Sequence, residues 1–293
     1  YFETGQNPRV PGNEELDTLV QAINATTDIE KQRQAFFEIE KYMSMYLPSY
    51  PLYYQQLFIY ESKRVDRHGE QYGNAQYNYD WGIVNWTVEP DEDGNEVLRT
   101  NTGPVEFFQN PWFNPAIFMP SKVLWSRLII GDGSLVPSEP QLAESWDMSD
   151  DGMTVSFTLR DGLTWHDGSA LTVEDVKWSV ELAARIPTVH QVFKTTFQSL
   201  AGYTEYTEGD ADSISGISTD GNTITFEFAT LDPNVLLTFS HFAPLPKKYL
   251  EGVDPLKFQQ HQYWQNPVGS GPFKVDEVEM NDYLVMVPFE DYY

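Results

Sequence analysis

The sequence predicts an α/β fold built on a mixed sheet, and three observations carry that prediction. Two segments alternate apolar and polar residues at the two-residue period of a half-buried strand. In "MTVSFTLR" Met153, Val155, Phe157 and Leu159 share one face, and in "NTITFEF" Ile224, Phe226 and Phe228 do. Other segments repeat at helical spacing: in "NEELDTLVQAIN" Leu16, Leu19, Val20 and Ile23 form one stripe. Helices and strands interleave without a strict βαβ rhythm, and no repeat of about 20–50 residues is visible.

Composition bounds the function classes. The chain has 293 residues, 41% apolar and 15% aromatic, enough for a sizeable core. A net charge of −26 argues against nucleic acid or an anionic membrane surface as partner, because both repel such a chain. Without cysteine there is neither a disulfide framework nor a thiolate zinc site. No apolar run approaches the roughly 20 residues of a membrane span. The opening "YFETGQNPRV" has no apolar core of a signal peptide, so a soluble, mature piece is expected.

Taken in order, the first helix is followed by "TDIE", which reads as a capping box between Thr27 and Glu30. The helix it starts carries Phe36, Ile39, Met43 and Tyr46 on one stripe and stops at Pro48. "PLYYQQLFIYESKRV" reads as extended, and a looser aromatic stretch runs to Trp86. "EPDEDGNE", Glu89 to Glu96, lacks the D-x-D-x-D-G order of a calcium loop and reads as an exposed linker or hairpin tip. "VLRTNTGP" reads as a strand entering the Pro- and Asn-punctuated loop "FFQNPWFNPAIFMP". "DDG" and "RDG" bracket the Met153 strand as turns. Thr172, with Asp175 three residues on, caps a helix running to about Arg185.

From Ala143 the chain reads "AESWDMSDDGMTVSFTLRDGLTWHDGSALTVEDVKWSVELA". This resembles the signature of the family 5 extracellular solute-binding proteins, the oligopeptide-, dipeptide- and nickel-binding receptors of ABC importers. "ISGISTDGNTITFEF", "FAPLPKKYLE" and "NPVGSGPFKV" resemble later landmarks in the family's order, so the resemblance covers nearly all of residues 97–293. Residues 1–88 resemble the family's C-terminal end, with its two helices and P-x-x-P-L strand, yet here they come first. The acidic stretch 89–96 would join the two parts, and "VPFEDYY" stands where family members cross into a second lobe. The resemblance therefore implies one lobe, lobe I, of a type II periplasmic-binding-protein-like fold, circularly permuted and without lobe II. Close surface termini make such a permutation tolerable. An engineered order, a natural fusion and two joined fragments are the alternatives.

The functional expectations follow from that resemblance. It implies capture of a solute, most simply a short peptide, for the membrane subunits of an ABC importer, outside the cell or in the periplasm, without catalysis or cofactor. His166 and Asp167 in "WHDG" invite an acid–base reading, but their place between a strand and a helix cap favours a turn. Metal is not expected: no two of His68, His166, His190, His241 and His261 stand at i+3 or i+4 spacing. Relatives place a ligand-pairing loop at Ile117, Phe118 and Met119, an aromatic contact near His190 and Phe193, and a cleft histidine at His241. The aspartate that anchors a peptide's amine belongs to a segment that this chain lacks. A single lobe offers half a cleft, so weak or no binding is expected. Rival readings are a scaffold without ligand function, a carbohydrate- or nickel-binding lobe, and a hydrolase.

Overall fold

The computed structural model of the chain describes residues 14–46, 62–68, 82–100, 108–113, 119–131 and 136–293, the side chains of Tyr46 and Met119 excepted. In chain order the elements are α1 (Glu14–Asn24), α2 (Ile29–Tyr46), β1 (Val65–Asp66), β2 (Thr87–Val88), α3 (Met119–Leu124), β3 (Ile129–Gly131) and β4 (Pro137–Pro140). There follow β5 (Ala143–Met148), β6 (Thr154–Leu159), α4 (Val173–Arg185), α5 (Gln191–Gln198), α6 (Tyr203–Glu208), β7 (Ile217–Asp220) and β8 (Thr223–Glu227). The last are α7 (Val235–Phe239), α8 (Lys247–Leu250), β9 (Phe273–Glu279) and β10 (Tyr283–Pro288).

Strands β5, β6, β8 and β7 form the central sheet in that order, and among the described residues every strand pairing is antiparallel. The alternation read from the sequence sets its two faces. Val155, Phe157 and Leu159 of β6 and Ile224 and Phe226 of β8 are buried, and register puts Phe157 opposite Ile224. Phe239 of α7 closes over this face, 4.5 Å from Phe226 and 5.1 Å from Phe157 between ring centroids. Each such ring contributes about 1.5–3 kcal/mol by leaving water. On the opposite face hydroxyls pair across the strands, Ser156 with Thr225 at 2.8 Å and Thr158 with Thr223 at 3.2 Å.

Helix α4 begins where its cap was expected: the Thr172 amide donates to the Asp175 carboxylate at 3.0 Å. Val176, Val180 and Ala183 face the core. Ser179 is tied to both the amide and the carbonyl of Leu245, at 2.9 and 3.2 Å.

Helices α1 and α2 form a separate hairpin with Leu16 and Ile39 at its centre. Its cap differs from the expected Thr27–Glu30 box. Asp28, directly before the first helical residue, accepts from the amides of Glu30 and Lys31 at 2.9 and 3.3 Å. A carboxylate also answers the positive end of the helix, which a hydroxyl does not. Thr27 does other work, since a Cβ on Gly152 would meet its Cγ2 at 3.1 Å. The hairpin loop thus sits against the β5–β6 turn. Phe36, expected inward, is 47% exposed, because the stripe's buried position is Ile39.

The acidic stretch is a turn, as expected. Asp91 accepts from the amides of Asp93 and Asn95 at 3.1 and 2.8 Å, and Arg64 reaches the carbonyls of Glu89 and Asn95 at 2.8 and 3.0 Å. The strand expected to follow does not start within Val97–Thr100, which form no strand. Arg99 turns back to Asp91 at 3.4 Å instead. The rest of that expected strand, like all of "PLYYQQLFIYE", lies outside the described residues.

Candidate ligand-binding face

The "WHDG" loop fastens three segments together. The His166 amide donates to the Gly269 carbonyl at 2.9 Å, and Nδ1 accepts from the Gly269 amide at 3.1 Å. Nε2 donates to the Gly271 carbonyl at 2.9 Å. The facing "GSG" needs its glycines, because a Cβ on Gly269 would overlap the carbonyl oxygen of Leu124 and one on Gly271 that of Val123. The amides of Ser270 and Gly271 both donate to the Leu124 carbonyl, at 3.0 and 2.9 Å. The end of α3 is therefore bolted to His166 through three residues of backbone.

Asp167 faces the other way. It accepts from Lys248 Nζ at 2.8 Å, the Tyr249 hydroxyl at 2.7 Å and the Ser169 hydroxyl at 2.6 Å. Burial alone would raise its pKa, but these donors hold it well below the usual carboxylate range. Burial, with a smaller push from Lys274, lowers His166 from 6.5 to about 4. With both ring nitrogens engaged by backbone, His166 is a neutral strut that has no nitrogen left for proton transfer. The turn reading of the pair accounts for its geometry.

Of the ligand contacts expected from the sequence, Ile117 and Phe118 lie outside the described residues, and Met119 opens α3. His190 is exposed and caps α5, its Nδ1 accepting from the Val192 amide at 3.3 Å. Phe193 is 0% exposed: its ring lies 5.4 Å from Phe242 and 6.5 Å from His190, behind that face. His241 is half-buried, and its Nδ1 meets both the Leu237 carbonyl and the Ser240 hydroxyl at 3.0 Å. Burial first, then the charges of Arg127, Lys122 and His190, lower His241 to about 4.

Sequence reasoning missed Trp112, which joins these parts. Its carbonyl accepts from the His190 amide at 2.7 Å, and its Nε1 donates to the Ala243 carbonyl at 2.7 Å. Its ring is sandwiched between Phe242 and Phe258, with centroids at 5.1 and 5.4 Å. A tryptophan within the loop "NPWFNP" was the available signal. The remaining histidines serve locally: His68 meets Thr87 Oγ1 at 3.1 Å, and His261 accepts from the Tyr263 amide at 3.2 Å. Among the described residues no group of three or more His, Asp or Glu side chains could hold a metal ion.

Residues 138–293, just over half of the chain, match the family described as bacterial extracellular solute-binding proteins, family 5 Middle. A putative ABC transporter peptide-binding protein of Brucella ovis is 28% identical over 166 residues, 56% of this chain and 29% of that protein. The dipeptide-binding protein of Escherichia coli (strain K12) is 28% identical over 206 residues, 62% of this chain and 36% of that protein. A solved periplasmic oligopeptide-binding protein from Borrelia burgdorferi aligns with TM-score 0.51 and 27% identity, over 66% of this chain and 39% of its own. The chain thus spans about a third of the length of the curated relatives quoted. Its architecture is that of the type II periplasmic binding proteins. The chain belongs to the bacterial extracellular solute-binding proteins of family 5.

Proposed function

We propose that the chain is lobe I of a receptor that captures short peptides outside the cell for an ABC importer. Its order is circularly permuted, with residues 1–88 the native C-terminal part, 89–96 the junction and 97–293 the native N-terminal part. The observation that carries this reading is the family match over residues 138–293, made with relatives of which this chain spans only 29–36%. Two of those relatives are named peptide- and dipeptide-binding proteins. The peptide lies along the segment Ile117, Phe118 and Met119, pairing with its backbone, with His190 and His241 as side-chain contacts and Phe193 supporting His190. Capture works by closure of two lobes rather than by turnover, so this lobe alone binds weakly.

A thermal-shift titration with a pool of di- to hexapeptides tests the reading, with nickel and cello-oligosaccharides run separately. A ligand at 100 times its Kd would add about 2.7 kcal/mol. At about 2.1 cal/mol/K per residue, that is a rise of roughly 4 °C for 293 residues. The expected result is a cooperative melt with little shift, and a saturable peptide shift once a lobe II polypeptide is supplied. A full shift from peptide alone would refute the half-cleft argument. A shift from nickel or oligosaccharide but not from peptide would refute the ligand class.

A further inference from the structure

The hairpin of β9 and β10 stands outside the central sheet. Register sorts its side chains into two faces. Leu284 lies opposite Val278 and Met286 opposite Val275, and these four pack partly against the core. Tyr283, Val285 and Val287 lie opposite Glu279, Glu277 and Lys274 on the other face, where Tyr283 and Val285 are 45% and 38% exposed. The Tyr283 hydroxyl donates to the Glu277 carboxylate at 2.5 Å along that face. Among the described residues the backbone of β10 bonds to β9 and to no other segment. Along its outer edge, alternate amides and carbonyls therefore face outward without a partner strand.

Edge strands are ordinarily guarded by charges, bulges or proline. Strand β9 is guarded: it carries Lys274, Asp276, Glu277 and Glu279, and Asp276 is an extra residue opposite the step from Val285 to Met286. Strand β10, "YLVMVP", holds no charge, and no residue of it is skipped in the ladder; its one guard is Pro288 at its end. Acids flank it instead, Asp282 before and Glu290 and Asp291 after.

We infer that the open edge of β10 takes up an extended peptide segment of alternating apolar and basic residues as an added strand. The partner's side chains on the inner face join Leu284 and Met286, which requires them to be apolar. Those on the outer face lie beside Tyr283 and Val285. A lysine stem there crosses Val285 and carries its ammonium toward Glu277 or Glu279, two strand spacings or about 10 Å from the added backbone. A second copy of this chain fits worse. Two β10 strands brought together antiparallel set Asp282 of one against Glu290 and Asp291 of the other, and like charges so placed repel. An acidic segment meets the same repulsion. The edge shares no residue with the face carrying His190 and His241, so its occupant is independent of the ligand proposed there.

Hydrogen exchange of the β10 amides tests it, with acetylated and amidated hexapeptides: Val-Lys-Val-Lys-Val-Lys, the same peptide methylated at every backbone nitrogen, and Val-Glu-Val-Glu-Val-Glu. At saturation the lysine peptide is expected to slow exchange within residues 283–288 by about tenfold or more and to leave β6 and β8 unchanged. The methylated peptide and the glutamate peptide should give no slowing. In the variant carrying both Glu277→Gln and Glu279→Gln, affinity for the lysine peptide should fall by roughly tenfold at low salt. Unchanged affinity in that variant would overturn the basic character of the occupant. Equal slowing by the lysine peptide and its methylated form would overturn strand addition. Slowing without peptide that grows with protein concentration would overturn it in favour of a second copy, and no slowing by any of these peptides would overturn it outright.

Discussion

Replacing His166 with alanine removes a strut whose cost depends on pH. At neutral pH the variant leaves the Gly269 amide and the Gly271 carbonyl without the ring that satisfies them. Two such buried groups cost about 1–3 kcal/mol each. The edge contact of the ring with Phe289, at 4.9 Å, is lost as well. A total of about 3–5 kcal/mol corresponds to roughly 5–8 °C in Tm at this chain length. In the folded protein His166 keeps its proton only below about pH 4, whereas unfolded it does so below its ordinary 6.5. Between those values unfolding takes up a proton, so this contribution is complete above 6.5 and is lost as pH falls toward 4. The variant has no such group. The stability gap between the two proteins should therefore narrow by about 2 kcal/mol from pH 7 to pH 5. Urea unfolding followed by tryptophan fluorescence at both pH values measures it, and His241, common to both proteins, cancels. A gap below about 1 kcal/mol at pH 7, or one that stays constant or widens in acid, would refute the neutral buried imidazole.

Four further substitutions probe the same framework. Gly269→Ala forces a methyl against the Leu124 carbonyl, which cannot swing aside, so a loss of about 3 kcal/mol or more is expected in the melt. Asp28→Ala should cost the α2 hairpin about 1 kcal/mol, seen as reduced hydrogen-exchange protection of residues 29–46, while Thr27→Val, which keeps Cγ2 and drops the hydroxyl, changes little; the reverse order would restore the Thr27 cap. Trp112→Ala should cost about 3–5 kcal/mol and shift the ring signals of His190 and His241, because the stack on Phe242 is shared; unshifted rings would contradict that coupling.

What was legible in the sequence was what a local rule decides. Strand β6 and its partner β8 announced themselves by alternation, α4 by Thr172 and Asp175, and the acidic stretch by its turn residues. The α2 cap was misread because Thr27 and Asp28 are both good caps; the Asp28 carboxylate also answers the helix's positive end, and Thr27 packs beside Gly152, a neighbour distant in sequence. The candidate face was legible only in part. His190 and His241 could be named from resemblance, but Phe193 stands behind the surface, since α5 turns Phe193, Thr196 and Phe197 inward together. Nothing local says that the Trp112 carbonyl will hold the His190 amide, a bond between distant segments.

The α1–α2 hairpin has a thermal life of its own. Among the described residues its interior is the buried Leu16 and Ile39 with Leu19, Val20, Ile23, Tyr42 and Met43 packed partly against them, while Ile29, Phe37 and Met45 are 57%, 57% and 73% exposed. Among the described residues so small an interior supplies little opening free energy, so reduced hydrogen-exchange protection of residues 14–46 relative to the central sheet is expected. A protease acting on the folded protein would then cut first within residues 14–46 and leave the sheet and its aromatic core as the surviving fragment.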